Sequence, residues 1–367
     1  MMIKSGRPAT TDRLNILIMG AGAIGCFVGG SLAAGGHRVT LVGRQPLMNK
    51  IAQAGLTIQW PDQPPQTTNP QTVLEVAPPE QPYDFIFVTV KSPATAEAAQ
   101  QLASSLPVQT GQTWLVSLQN GLGNEETLAQ TFGTENIIAG TITIPISVPE
   151  PGVITVNKAK GGLGLAPLVA GQPVERLAAA LNEAGLTTPT YADYRAMKWS
   201  KLLLNIVNNA ASAILNLPPV DIIARPALFN MEILALREAV TVMRAMKISA
   251  VKLPGYPADW LARLVTARWL PLPLLRTILR PAMKSGRGTK MPSLQIDLAG
   301  GRRSSEIQAL NGAIVQAGRQ NGIPTPINQA LTETLDGLVQ GRLVWSDYQG
   351  RPEKLLADIK ARQTNSS

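Results

Sequence analysis

The sequence predicts an α/β protein, with an N-terminal Rossmann-type doubly wound sheet followed by a C-terminal all-helical domain. Three observations predict it. Residues 15–44, "NILIMGAGAIGCFVGGSLAAGGHRVTLVGR", read as strand, glycine turn, helix, glycine-rich stop and second strand. Short apolar runs then alternate with helical patterns as far as residue 144, and beyond Asp193 the strand signals fade while long helical patterns run to Leu338. A chain of 367 residues is also too long for one compact core.

Taken in order, "MMIKSGRPATTDR" lacks the apolar stretch of a signal peptide and reads as a disordered lead over residues 1–13. Residues 14–192 form the expected NADP-binding Rossmann-type domain. After the opening βαβ unit its strands are "DFIFVTVK" (84–91), "TWLVSLQN" (113–120) and "ENIIAGTITI" (135–144), with "PATAEAAQQLASSL" (93–106) as an intervening helix. Glycine spacing and alternation over 151–167 predict a small antiparallel addition to the same sheet. Residues 193–350 are the helical substrate and catalytic domain, and 351–367 a C-terminal tail that frays at "QTNSS".

Composition narrows the function. Hydrophobic residues make up 45% and charged residues 16%, the balance of a folded globular chain. Cys26 is the single cysteine, so no intramolecular disulfide forms, and no Cys/His cluster offers a metal site. A reducing, cytoplasmic compartment fits, and no apolar run reaches membrane-spanning length. The net charge of +9 is concentrated, with twelve lysines and arginines against Asp259 and Asp297 between Arg244 and Arg303. Such a segment attracts nucleic acid, a membrane surface or small anions. Its aromatics are only Tyr256, Trp260 and Trp269, without the repeated stacking residues of a single-strand binder. "WLARLVTARWLPLPLLRTILRP" (260–281) has the character of a basic amphipathic helix, interrupted by Pro271 and Pro273. The favoured reading is a solvated helical face near an anion-binding cleft, with no nucleic-acid partner and no membrane span.

Gly20, Ala21, Gly22, Ala23, Ile24 and Gly25 make G-x-G-x-x-G directly after a strand and at the start of a helix. The first glycine permits the turn, the second lets the backbone approach a pyrophosphate, and the third lets the helix pack closely. The second strand ends "VTLVGRQ", with Arg44 where an NAD site usually has a carboxylate, which favours NADP(H). His37, the only histidine, reads as an ordinary surface residue in a turn. In "KWSKLLLNIVNN" (198–209), Lys201, Asn205 and Asn209 recur every fourth residue, so a single helix would carry them as one polar stripe.

These pieces, with "VTVKS", "LQNGLGNEE", and "PSLQIDLAGGRRSSEIQALNGAI" followed by "GIPTP", resemble the ketopantoate reductase (2-dehydropantoate 2-reductase) family from about Asn15 to Leu338. The resemblance implies NADPH-dependent reduction of a small 2-oxo acid between a Rossmann domain and a helical domain. It implies Lys201 as general acid and Glu306 as its catalytic companion, with Asn205, Asn209, Asn120 and Ser293 on the substrate. Lys91 and Asn120 are the implied cofactor contacts beyond the glycine turn and Arg44. The run from Ser293 to Glu306 is one residue longer than in well-known members, and the extra residue is expected in the loop before a helix whose first turn holds Glu306.

A ketone reduced by hydride develops negative charge on oxygen, so the site needs a proton donor there. A partly desolvated lysine suits that task. Lys198 is the rival, but it precedes Trp199 whereas the family's acid follows that aromatic by two. The leading expectation is reduction of 2-dehydropantoate to pantoate in pantothenate biosynthesis. The alternatives are a same-fold reductase of another 2-oxo acid and a non-catalytic NADP-binding regulator. A homodimer is compatible with the apolar helical faces.

Overall fold

The computed structural model describes residues 13–108, 110–267, 269–287 and 290–365. The expected lead lies, up to residue 12, outside them. The chain divides into two compact units. Among the described residues, the first contains those up to Val90, Ala94–Gln119 and Asn124–Tyr194, while the second contains Lys91–Pro93, Asn120–Gly123 and those from Arg195 onward.

In the first unit the elements run β1 (Asn15–Met19), α1 (Ala23–Ala34), β2 (Arg38–Val42), α2 (Gln45–Ala54), β3 (Leu56–Gln59), β4 (Gln66–Thr68), β5 (Gln71–Val73) and β6 (Phe85–Val88). They continue with α3 (Thr95–Ser105), β7 (Trp114–Ser117), α4 (Asn124–Phe132), β8 (Ile137–Ile142), β9 (Ile146–Glu150), β10 (Val153–Val156), β11 (Leu163–Pro167) and α5 (Val174–Glu183). Seven strands form one sheet in the order β11-β8-β7-β6-β1-β2-β5, parallel except where β11 runs against β8. Strand order reverses around β1, as a doubly wound sheet requires.

The central strands are apolar at every position because both faces are covered. Ile16, Ile18, Phe85 and Phe87 join the core around Phe27 of α1, whereas Leu17, Met19, Ile86 and Val88 join the core around Ala98, Ala99 and Leu102 of α3. Successive side chains on a strand point to opposite faces, which accounts for the split. The antiparallel addition expected over 151–167 is divided between two sheets. β11 extends the main sheet, while β10 pairs with β9 and with the distant β3 in a second, four-stranded sheet ordered β4-β3-β10-β9.

His37 corrects the surface reading. It is 7% exposed, and its Nδ1 accepts the backbone N–H of Leu14 at 3.2 Å, so the imidazole is held neutral. Burial pushes its pKa below the ordinary value; Arg13 adds to the shift, and Glu183 and Asp84 oppose it. The unfolded chain therefore takes up the proton first as pH falls below about 6.5, and native stability declines from there toward the lowered folded pKa. Urea midpoints at about pH 7.5 and about pH 5.5 should show a loss on acidification that is smaller in His37→Gln. Cys26 is likewise buried, its thiol pushed up to about 12, so it is unreactive in the native state.

In the second unit the elements are α6 (Tyr194–Ile206), α7 (Asn209–Leu215), α8 (Pro219–Ala224), α9 (Pro226–Ala245), α10 (Ala258–Val265), α11 (Leu272–Arg287), α12 (Ser293–Ala299), α13 (Asn311–Gln320), α14 (Pro326–Val339) and α15 (Pro352–Asn365). One apolar core joins α6, α7 and α9 to α13, α14 and α15. Glu238 of α9 accepts the backbone N–H groups of Ile327 and Asn328 at 2.9 and 3.0 Å, placing a carboxylate at the N-terminus of α14. The expected tail from 351 is instead helix α15 as far as Asn365. Leu355 and Ile359, one turn apart, are buried in the core, and that burial holds the segment helical.

Candidate active site

The first unit supplies a cradle where β1 turns into α1. Gly20 has φ +105, and a Cβ there would lie 2.8 Å from the backbone nitrogen of Val90; one at Gly25 would lie 2.3 Å from the Gly20 carbonyl. Gly22 differs, since a Cβ built on it meets nothing within 4 Å. The turn is therefore tight on its inner side and open at Gly22. Gly20 and Ala21 donate their N–H groups to the Val42 carbonyl at 3.3 and 2.8 Å, tying the turn to the end of β2. The N–H groups in the first turn of α1 have no intrahelical acceptor, and the helix dipole adds positive potential there. Arg44, exposed, sits at the start of α2, and the first turn of that helix carries no acid. This cradle fits the pyrophosphate of a dinucleotide, with Arg44 one residue past Gly43, whose own Cβ would meet Ala21 at 2.8 Å.

The second unit gathers most of the remaining candidates. Lys201 and Asn205 lie one turn apart on α6, and Asn205 Nδ2 donates to Asn120 Oδ1 at 3.1 Å. Asn120 opens the segment Asn120–Gly123, and its carbonyl accepts from Ser92 Oγ at 2.8 Å. Leu122 donates its N–H to the Ala309 carbonyl at 2.9 Å, and Gly121 passes so close that a Cβ would stand 2.5 Å from that same oxygen. Gly121 has φ +84, so both its conformation and its surroundings call for glycine.

Glu306 opens a short 3₁₀ turn, Glu306–Gln308, ahead of α13 rather than the first turn of a longer helix. Ser305 Oγ accepts the Ile307 N–H at 3.2 Å and caps that turn. The Glu306 carboxylate is 7% exposed; burial raises its pKa, while Lys91 and a hydrogen bond from the Ser92 backbone oppose the rise and Asp297 reinforces it. Lys91 donates Nζ to Asp297 Oδ2, and Arg302 Nε lies 3.3 Å from Asp297 Oδ1. One buried carboxylate thus holds two cations, and a protonatable Glu306 lies beside them.

Asp297 is the site residue that sequence reading missed. The available signal was that it is one of only two acids among twelve cations, four residues after Ser293. Asp297→Asn should lower stability by about 1–2 kcal/mol, below the cost of opening a fully buried pair because Lys91 and Arg302 stay 40% and 54% exposed. It should also lower the Glu306 pKa, since a repelling charge goes and Lys91 is freed. Carboxyl ¹³C titration by NMR reads that shift directly, and an unmoved Glu306 would exclude the coupling.

Two expectations are altered. The single polar stripe is broken, because α6 ends at Ile206, Asn208 turns left-handed at φ +57, and Asn209 begins α7. Asparagine tolerates that conformation, and Glu232 fixes it by accepting the Asn208 N–H at 2.7 Å. Asn209 is 4% exposed, with a buried Oδ1 that lacks a hydrogen-bond partner. Ser293 stands exposed at the first position of α12 and is not brought into the Asn120–Asn205 network. Lys198 is only 3% exposed, whereas Lys201 is partly open, so Lys201 is the α6 lysine that a small molecule can reach.

Residues 16–168 match the family profile described as "Ketopantoate reductase PanE/ApbA", and residues 193–339 match its C-terminal counterpart. The chain is 29% identical over 330 residues to the 2-dehydropantoate 2-reductase of Halobacterium salinarum, covering 87% of this chain and 97% of that protein. It is similar to the crystal structure of a PanE/ApbA family ketopantoate reductase from Ralstonia eutropha, with a TM-score of 0.73 and 27% identity over 90% of this chain and 99% of that one. In fold alone it is similar to D-mandelate dehydrogenase, solved with NADH and anilino(oxo)acetate, with a TM-score of 0.73 and 22% identity over 89% of this chain and 99% of that one.

Proposed function

Since the chain belongs to the ketopantoate reductase family, we propose that it is an oxidoreductase that reduces 2-dehydropantoate to pantoate with NADPH. The observation that carries this reading is the Asn120–Asn205 hydrogen bond one helical turn from the accessible Lys201. Gly20–Gly25 and Arg44 would hold the dinucleotide, with Lys91 and Asn120 as further contacts. Bound NADPH supplies the hydride that adds to the ketone carbon. Lys201 donates its proton to the ketone oxygen as negative charge develops there. Asn205, Asn209 and Asn120 orient the substrate through neutral amides, so they place no competing charge beside the reacting carbonyl. Ser293 is the outer substrate contact. Glu306 accepts a hydrogen bond from the substrate hydroxyl, and its desolvation favours a carboxyl group that can also share a proton with a neighbouring lysine.

A second reading keeps the chemistry and changes the acid reduced. It is favoured by the exposure of Ser293 and by a neighbour of the same fold that was solved with NADH and a different oxo acid. Steady-state kinetics over a panel of 2-oxo acids, with NADPH and with NADH, separate the two. The first reading expects the largest kcat/KM for 2-dehydropantoate with NADPH. Arg44→Ala should then lower kcat/KM for NADPH by roughly 10- to 100-fold while leaving NADH nearly unchanged, the range expected for charge-assisted bonds to a phosphate. Turnover of another oxo acid alone would replace the first reading with the second.

A further inference from the structure

Between Trp260 and Lys290 the chain carries seven lysines and arginines and no acid. In the structure the segment is two helices, α10 ending at Val265 and α11 beginning at Leu272, and the prolines at the junction do not break α11 itself. Pro271 precedes α11 and Pro273 occupies its first turn, where proline's missing N–H costs no helical hydrogen bond. Leu275 and Leu279, one turn apart, are buried, and α11 packs against α8. On one flank of that buried row stand Leu274 and Ile278, 49% and 38% exposed; on the other stand Arg276 and Arg280. The solvent-facing arc of α11 therefore runs from an arginine row through Thr277 to an aliphatic row. Just before the helix, Trp269 is 82% exposed, and Trp260 on α10 is 44% exposed beside the exposed Arg263.

We propose that α11 and the preceding Trp269 form a docking surface for an anionic phospholipid bilayer, on which the protein rests without crossing it. No helix among the described residues is long and apolar enough to span a membrane. An interfacial helix needs only an apolar edge at the acyl boundary, cations that reach the headgroup phosphates, and an indole suited to the boundary between them. Leu274 and Ile278, Arg276 and Arg280, and Trp269 supply these in turn. Charge also selects the occupant. A second copy docking helix to helix through the same patch would bring two α11 helices together whose arginines face no acid on the other helix, and that repulsion disfavours it. An aliphatic row beside the arginines serves no purpose against a nucleic-acid backbone.

The test is flotation of the full chain with vesicles of phosphatidylcholine alone and with vesicles that also contain phosphatidylglycerol. The expected result is binding to the anionic vesicles only, release by salt, and a blue shift of tryptophan emission that Trp269→Phe diminishes. The double variant Trp269→Ala/Ile278→Ser should lose roughly tenfold or more of the partition coefficient, and Arg280→Ala about fivefold. Thermal unfolding and reductase activity should match wild type in every variant, because these residues lie outside the candidate active site. Equal partitioning to both vesicle types, or variants that bind like wild type, would overturn the proposal. So would retention of oligonucleotide without vesicle binding, or a dimer that dissociates in the double variant.

Discussion

Lys201→Ala should lower kcat with 2-dehydropantoate by about 10²- to 10⁴-fold, the usual worth of a positioned general acid, while NADPH affinity stays within about twofold. The reason lies in where the lysine sits. Lys201 is one turn from Asn205, whose amide is already committed to Asn120, so the backbone that presents the ammonium is fixed by its neighbours. Lys201→Arg should fare little better, because a guanidinium holds its proton too tightly to release it to an alkoxide near neutral pH. Lys198→Ala is the control. With 3% of Lys198 exposed, its loss should appear in the unfolding midpoint more than in turnover. Single-turnover NADPH oxidation, with a fluorescence titration of NADPH on each variant, distinguishes these outcomes. An undiminished single-turnover rate in Lys201→Ala would remove it from the acid role.

Gly121→Ala should damage the site nearly as much without touching a reactive group. A methyl at Gly121 would stand 2.5 Å from the Ala309 carbonyl oxygen, and its φ of +84 costs an L-residue about 1–2 kcal/mol. Relief requires the Asn120–Gly123 segment to move away from Ala309. That displaces Asn120 from Asn205 on one side and from Ser92 on the other. A shift of about 1 Å in a positioning group can cost about 10²-fold in rate, so kcat/KM for the oxo acid should fall by that order. Binding of NADPH alone should fall less, because the glycine turn of the first unit is untouched. Ala309→Gly would remove the 2.7 Å contact with the Ala309 Cβ but leave the 2.5 Å contact with the backbone oxygen, so full restoration of the rate is not expected; a fully rescued double variant would show that the side chain was the obstacle.

The sequence made legible whatever is encoded by neighbours in the chain. The glycine turn, β6 and β7 are visible because period, composition and turn residues all act within a few positions. The four-stranded sheet was not visible, because β3 and β4 are only four and three residues long and β10 reaches β3 across nearly a hundred residues. The break at Asn208 was hidden for a different reason. Leu-rich periodicity continues through it, and only a tertiary acceptor, Glu232, selects the left-handed alternative. Asp297 was hidden in a run whose cations drew notice to themselves, and its importance rests on Lys91, 206 positions earlier in the chain. Lys201, Asn205, Asn120 and Glu306 could be named from a family resemblance, whereas the Asn205–Asn120 hydrogen bond and the one from the Ser92 backbone to Glu306 come from long-range folding.

The assignment of Lys91–Pro93 and Asn120–Gly123 to the helical unit bears on how this architecture can be recombined. A splice made near residue 194 looks natural on a linear map, yet it would separate Asn205 from the Asn120 oxygen and Glu306 from the Ser92 amide. Grafting helical halves between homologues should therefore succeed only when these seven upstream residues travel with the graft. In a library of chimeras, the informative crossover points are Val90/Lys91 and Gln119/Asn120, long before the apparent seam.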